Sequence, residues 1–90
     1  MLTNILTAVV TAYIATGHPT ASGKMPISGH TIALPRQFPL GSKVEINGHW
    51  FVGEDRTARR FDGRFDIFMA SRDAAIQWGK QTIQVKVIKP

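Results

Sequence analysis

The chain has 90 residues, no cysteine, and a formal net charge of +5 from eleven Lys and Arg against six Asp and Glu. This length supports one hydrophobic core, so we expect a single domain over residues 1–90. The lack of cysteine excludes a disulfide framework, a thiolate nucleophile and a zinc–thiolate site. The positive charge favours an anionic partner, such as nucleic acid, an anionic membrane surface or an acidic cell-wall polymer.

The first thirteen residues are mildly apolar but contain no basic residue, and Thr3, Asn4, Thr7 and Thr11 interrupt them. They therefore lack the pattern of a signal peptide. No run in the chain approaches the ~18–20 apolar residues of a membrane span. We expect this segment to be a strand of the fold, and we expect any export to depend on something outside this sequence.

Short apolar runs rich in Val, Ile and Thr, separated by glycines and prolines, indicate a mostly β domain. Asn47-Gly48 predicts a hairpin, because a type I′ turn needs positive φ at both central residues. One helix is predicted over residues 72–78, with Ser71 as its N-cap and Gly79 as its stop. The predicted strands are residues 6–14, 30–34, 43–46, 50–54, 65–69 and 82–88. Six short strands and one helix favour a closed barrel, which removes exposed sheet edges.

Charge is concentrated in residues 55–66, which hold three of the six acidic residues and four of the eleven basic ones. Asp66 opens an apolar run, residues 67–69. A carboxylate at the mouth of a buried strand can have a perturbed pKa and serve in acid/base chemistry. The alternative is an arginine–carboxylate network that orders a long loop, because structural ion pairs perturb pKa values as well.

Other groups of residues indicate little specific chemistry. The three histidines show no metal-ligating spacing, and residues 17–24 do not match a phosphate-binding loop, so we predict neither a metal nor a cofactor. The aromatic residues could stack on nucleic-acid bases beside the arginines. Most of them lie in predicted strands or in the helix, where aromatics fill the core, and Phe61 is the expected exposed exception.

A series of short motifs covers nearly the whole chain, about residues 9–88. Their order and spacing resemble those of the three-aspartate ("3D") domain, a double-psi β-barrel similar to the catalytic barrel of membrane-bound lytic transglycosylase A. The motifs are Thr11-Ala12-Tyr13, Thr20-Ala21-Ser22-Gly23, Thr31-Ile32-Ala33, Pro39-Leu40-Gly41-Ser42-Lys43-Val44, Asp55 and Arg64-Phe65-Asp66-Ile67-Phe68.

The chain departs from that family at informative positions. Asp55 and Asp66 keep the family's eleven-residue interval, but Arg56-Thr57-Ala58 replaces Thr-Gly-Gly and Phe61-Asp62 replaces Lys-Gly. The earlier aspartate of a Val-Asp-Pro context is absent, because this chain reads Ala33-Leu34-Pro35. Two of the three aspartates therefore keep their positions, and Asp62 is the candidate to replace the third in space.

The resemblance implies cleavage of the peptidoglycan glycan strand at the MurNAc–GlcNAc β-1,4 bond without hydrolysis, leaving a 1,6-anhydro end. It makes Asp66 the acid/base and Asp55 the neighbour that sets the charge state of Asp66. It implies action in the periplasm or cell wall, in a cellular or a phage-encoded protein. The implied substrate-binding residues are Tyr13, Thr20, Asp62 and Arg64.

Two alternatives remain open. The first is a barrel that binds wall polysaccharide without cleaving it, as in proteins of the expansin and rare-lipoprotein-A kinds. The lost glycines and the missing aspartate favour this alternative. The second, which the core positions of the aromatics disfavour, is a basic barrel that binds nucleic acid.

Overall fold

The computed structural model describes residues 3–90; Met1 and Leu2 lie outside the described residues. Six strands close into a barrel, with one short α-helix packed against it. The predicted fold, mostly β with six strands in a closed barrel and one helix, is therefore confirmed. The elements are β1 (Thr3–Tyr13), β2 (Thr31–Leu34), β3 (Lys43–Ile46), β4 (His49–Arg56), β5 (Phe65–Phe68), α1 (Arg72–Trp78) and β6 (Gln81–Ile88), with a 3-10 turn at Arg59–Phe61.

The strands follow the order β1-β5-β2-β4-β3-β6 around the barrel. Two pairs are parallel, β1 with β5 and β2 with β4, and the other four are antiparallel. If β1, β2 and β3 are exchanged for β4, β5 and β6, every pairing maps onto a pairing of the same direction. The barrel thus consists of two interlocked three-stranded halves, and its parallel pairs bring distant parts of the sequence side by side.

Local signals place the hairpin and the helix. Asn47 and Gly48 have φ values of 52° and 80°, which joins β3 to β4 by the predicted turn. The Ser71 hydroxyl accepts a hydrogen bond from the Ala74 N–H at 3.0 Å and begins α1, and Gly79 ends it at φ 65°. The helix bounds agree with the prediction.

Three strands are longer than predicted: β6 begins one residue earlier, at Gln81, and β1 and β4 are extended by residues that have partners in neighbouring strands. β1 begins at Thr3, which pairs with Ile88, and its antiparallel register with β6 continues to Val10. β4 continues to Arg56, which pairs with Leu34 of β2. The extension of β4 carries Asp55 into the barrel wall.

Alternate side chains of the strands fill the barrel interior. Fully buried residues include Val10, Ile32, Leu34, Phe65 and Val85. Phe51 and Phe68 are also buried, as expected for strand aromatics, whereas Phe61 is 41% exposed, in agreement with the sequence. The expectation for Trp50 was wrong, because its side chain points outwards from β4 and is 43% exposed.

Gly53 leaves the space that Leu34 fills. A Cβ built on Gly53 would lie 2.2 Å from Cδ1 of Leu34, whose side chain is fully buried. We expect Gly53→Ala to lower the free energy of unfolding by about 1–3 kcal/mol through overpacking. Chemical denaturation would also show non-additivity with Leu34→Ala, which removes the clashing atoms. Additive losses in the double variant would contradict this packing.

Candidate active-site cleft

A cleft with a volume of about 280 Å³ opens where β1, β2, β4 and β5 run side by side. The register aligns Thr11 with Asp66, Asp66 with Ala33, and Ala33 with Asp55. The two carboxylates therefore belong to one row across four strands, with the small Ala33 side chain between them. The lining residues are Tyr13, Thr16, His18, Pro19, Thr20, Pro26, Ala33, Asp55, Arg56, Thr57, Ala58 and Asp66.

Asp55 is held by three hydrogen-bond donors. Its Oδ1 accepts from the backbone N–H groups of Ala21 at 3.0 Å and Arg56 at 2.8 Å, and its Oδ2 accepts from the Tyr13 hydroxyl at 3.0 Å. Hydrogen bonds to an ionised acceptor are the stronger kind, so they fix the orientation of this carboxylate. Asp55 thus brings a fixed negative charge to the cleft.

Asp66 has a different environment. Burial raises the pKa of its carboxyl, and the charge of Asp55 raises it further. The hydrogen bond from the Thr11 hydroxyl, 3.1 Å from Oδ1, and the charge of Arg64 act in the opposite direction. The net result is a raised pKa, which favours a carboxyl group that can carry a proton.

Tyr13 connects the first strand to this pair. Burial, followed by the charge of Asp55 and the hydrogen bond to it, raises the pKa of the Tyr13 phenol far above its usual range. The phenol therefore remains a donor to Asp55. Its ring packs edge-on against Phe68, with centroids 5.4 Å apart, which holds the side chain in place.

The loop between β1 and β2 forms one wall of the cleft, and Glu54 anchors it. The Glu54 carboxylate is 8% exposed; it accepts a hydrogen bond from the Thr31 hydroxyl at 2.9 Å and lies 3.8 Å from Lys24 Nζ. The Glu54 carbonyl accepts from Ser22 N–H. Within this loop the Thr20 hydroxyl donates to the Lys24 carbonyl at 2.7 Å. Glu54 and Asp55, on successive positions of β4, thus fix the same loop from two sides.

Two nearby arginines are turned away from the carboxylates. The Arg56 guanidinium donates to the carbonyls of Pro35 and Phe38, and the Arg36 guanidinium donates to the Thr57 carbonyl. Asp62 accepts from the Arg36 N–H at 2.9 Å. These contacts join the connection between β2 and β3 to the end of β4 and to the connection between β4 and β5.

The structure brings together four of the six sequence-predicted site residues, Tyr13, Thr20, Asp55 and Asp66. Asp62 and Arg64 are not among the residues that line the cleft. Leu34 stands where the family's earlier aspartate was expected, and its side chain is buried in the core. The preceding residue, Ala33, lines the cleft. Asp62 pairs with Arg36 and does not occupy that place in the cleft.

Sequence reasoning missed three contributors. Thr11 donates to Asp66, Ala21 donates its N–H to Asp55, and His18 lines the cleft. The first two lie in motifs already singled out, Thr-Ala-Tyr and Thr-Ala-Ser-Gly, but their partners depend on the tertiary fold. Among residues 3–90 no three His, Asp or Glu side chains converge to hold a metal ion. The same residues include no helix with the length and apolarity required to cross a membrane.

Comparisons with known proteins connect this barrel to the cell wall. The chain is 32% identical over 94 residues to YabE of Bacillus subtilis strain 168, a protein named for cell wall shaping, and the match covers 93% of this chain. It is 34% identical over 92 residues to the cell wall-binding protein YocH of the same strain, with 92% of this chain covered. The matches span 23% and 32% of those two proteins, and no family model matches the chain.

The raised pKa of Asp66 predicts a pH-dependent effect on stability. Because folding raises this pKa, the folded state binds more protons than the unfolded chain between the two pKa values. The free energy of unfolding contributed by Asp66 therefore falls as pH rises through that interval. We expect Asp66→Asn to gain stability relative to the parent as pH rises above the ordinary aspartate value of 3.8, measured by denaturation at each pH.

The matched control is Asp73→Asn, which removes an exposed carboxylate in the first turn of α1. This variant should not reproduce the stability gain of Asp66→Asn at the same pH values. If Asp66→Asn instead loses stability relative to the parent as pH rises, Asp66 is stabilised as an anion and a protonated Asp66 is wrong.

Proposed function

We propose that this barrel acts on the peptidoglycan of the cell wall and cleaves its glycan strand at the MurNAc–GlcNAc β-1,4 bond, with Asp66 as the acid/base. The observation that carries the proposal is the contrast between two carboxyl groups in one cleft. Asp55 accepts three hydrogen bonds, whereas Asp66 is half-buried and has a raised pKa. The similarity to YabE and YocH supports the cell wall as the place of action.

Each step of the proposed reaction uses the same carboxyl group. The Asp66 carboxyl donates its proton to the glycosidic oxygen, the bond from C1 of MurNAc to that oxygen breaks, and the GlcNAc hydroxyl leaves. The C6 hydroxyl of MurNAc then attacks C1 and gives its proton to the Asp66 carboxylate. The products are a 1,6-anhydro MurNAc end and a free GlcNAc hydroxyl, and Asp66 regains its proton without consuming water.

The cleft suits this reaction better than hydrolysis. Glycosidases that hydrolyse the bond generally use two carboxyl groups, one as acid and one as base or nucleophile. In this cleft Asp55 already accepts three hydrogen bonds, from Tyr13, Ala21 and Arg56, which together favour its ionised form. Asp66, with its raised pKa, is the carboxyl group of the cleft that is better suited to exchange a proton. The fixed charge of Asp55 would also stabilise positive charge that develops on the sugar ring.

A second candidate function is binding of the wall polysaccharide without cleavage. One observation favours it specifically: the relative YocH is named as a cell wall-binding protein. In the row of aligned strand residues, Ala33 lies between Asp55 and Asp66, and the row contains no third aspartate. Binding alone would need the cleft but would not need a proton on Asp66.

The test is the release of soluble muropeptides from purified sacculi by the parent and by Asp66→Asn. Asparagine keeps the size and the hydrogen bond from Thr11 but cannot exchange a proton, so we expect a rate loss of ~10²–10⁴ with the fold intact. Mass spectrometry should show anhydro products, each one water lighter than the product of hydrolysis. Circular dichroism would check the fold of the variant.

Arg72→Gln, on the exposed surface of α1, is the control and should release the same products at the parent rate. Cosedimentation of the parent with sacculi and no soluble product would favour the binding function over cleavage. Release of anhydro products by Asp66→Asn at the parent rate would show that Asp66 is not the acid.

A further inference from the structure

The connection between β4 and β5 carries an exposed basic and aromatic surface that the proposed reaction does not use. We call it the arginine turn and define it as Arg59, Arg60, Phe61 and Arg64. The guanidinium carbons of Arg60 and Arg64 lie 4.9 Å and 4.8 Å from the centroid of the Phe61 ring. Cations at this distance are attracted to the ring face, so the exposed Phe61 side chain holds two positive charges close together.

The charges of the arginine turn are not neutralised within the described part of the chain. The nearest carboxylate in sequence is Asp62, and it pairs with Arg36: Arg36 Nη1 lies 3.6 Å from Asp62 Oδ1. The Arg36 N–H also donates to Asp62 and lowers the pKa of that carboxyl. None of the ion pairs among residues 3–90 involves Arg59, Arg60 or Arg64. The Arg36–Asp62 pair thus fixes the base of the turn and leaves its guanidinium groups available.

The arginine turn adjoins the cleft at both of its ends. Ala58, which lines the cleft, directly precedes Arg59, and Asp66, which also lines it, follows Arg64 by two residues. Arg64 lies near enough to Asp66 for its charge to lower the pKa of that carboxyl. A molecule that occupies the cleft could therefore also place an anionic group at the arginine turn.

We propose that the arginine turn binds the carboxylates of the peptide stems that hang from peptidoglycan, and so selects glycan strands that still carry their stems. This inference rests on the proposed function. A guanidinium is planar and presents paired N–H donors that match a carboxylate. The stem is attached to the lactyl group of MurNAc, the sugar whose C1 bond is cleaved in the proposed reaction. A MurNAc seated at Asp66 would thus place its stem beside the cleft, where Arg60 and Arg64 present their donors.

The same anionic chemistry could come from phosphate groups on other wall polymers, so the experiment removes these first. Sacculi freed of phosphate-containing polymers provide the stem-bearing form, and amidase digestion of the same sacculi provides soluble bare strands that keep only the lactyl carboxylate of each MurNAc. Cosedimentation of the full chain with sacculi in the cold gives its affinity for the stem-bearing form, and competition by the bare strands gives its affinity for them. The variants are Arg60→Gln/Arg64→Gln, Phe61→Leu, and the control Arg72→Gln/Lys80→Gln, which removes two exposed charges outside the arginine turn.

We expect the parent and the control to bind stem-bearing sacculi about tenfold more tightly than bare strands, as charge-assisted hydrogen bonds would provide. Arg60→Gln/Arg64→Gln should lose most of this preference and bind bare strands as the parent does. Phe61→Leu, which keeps every charge but lacks the aromatic face, should lose part of it.

Equal binding of the parent to both forms would overturn this inference and leave the proposed function intact. The inference also fails if the control loses the preference as fully as Arg60→Gln/Arg64→Gln does, because net charge then explains it. A preference that appears only when phosphate-containing polymers are left on the sacculi would overturn it in favour of phosphate. Binding of the parent to neither form would contradict the proposed function itself.

Discussion

The parallel pairing of β1 with β5 is the constraint on which the candidate site depends. It aligns Thr11 with Asp66 and Tyr13 with Phe68, and the Met69 N–H continues it by donating to the Tyr13 carbonyl at 2.9 Å. One strand therefore provides a donor to each aspartate, the Thr11 hydroxyl to Asp66 and the Tyr13 hydroxyl to Asp55. If this register slipped by one residue, both hydroxyls would move to the opposite face of the sheet.

The barrel separates the roles of its two cleft carboxylates by geometry. Asp55 lies one residue before the end of β4, beside the loop between β1 and β2, so backbone donors reach it from Ala21 and Arg56. Asp66 is the second residue of β5, which lies between β1 and β2, and burial is the largest influence on its pKa. The Arg56 guanidinium binds a carbonyl of the connection between β2 and β3, and the Arg36 guanidinium binds a carbonyl of the connection between β4 and β5, so neither is used to neutralise the pair. The same connection thereby presents its remaining arginines to solvent beside the cleft.

The features that the sequence predicted best are those that depend only on residues adjacent in the chain. Asn47-Gly48 and the Ser71 cap are local signals, and the hairpin and helix formed where they indicated. The contact of Asp66 with Thr11 could not be derived from the sequence, because it follows from a parallel pairing of segments 55 residues apart. The partner of Asp62 could not be derived from the sequence either, because the Arg36 N–H that donates to it lies in the connection between β2 and β3. The resemblance to a family predicted one site for Tyr13, Thr20 and both aspartates; strand register brings Tyr13 and the aspartates to the cleft, and the loop between β1 and β2 brings Thr20.

The measurement that tests the account most directly is an NMR titration of the aspartate side-chain carboxyl carbons in the parent and in Asp55→Asn. Asp66 should titrate above the ordinary aspartate value of 3.8, because burial and the charge of Asp55 both disfavour its ionised form. Removal of the Asp55 charge should shift the midpoint of Asp66 downwards while burial keeps part of the increase. A midpoint for Asp66 at or below the ordinary value in the parent would contradict a protonated acid in this cleft.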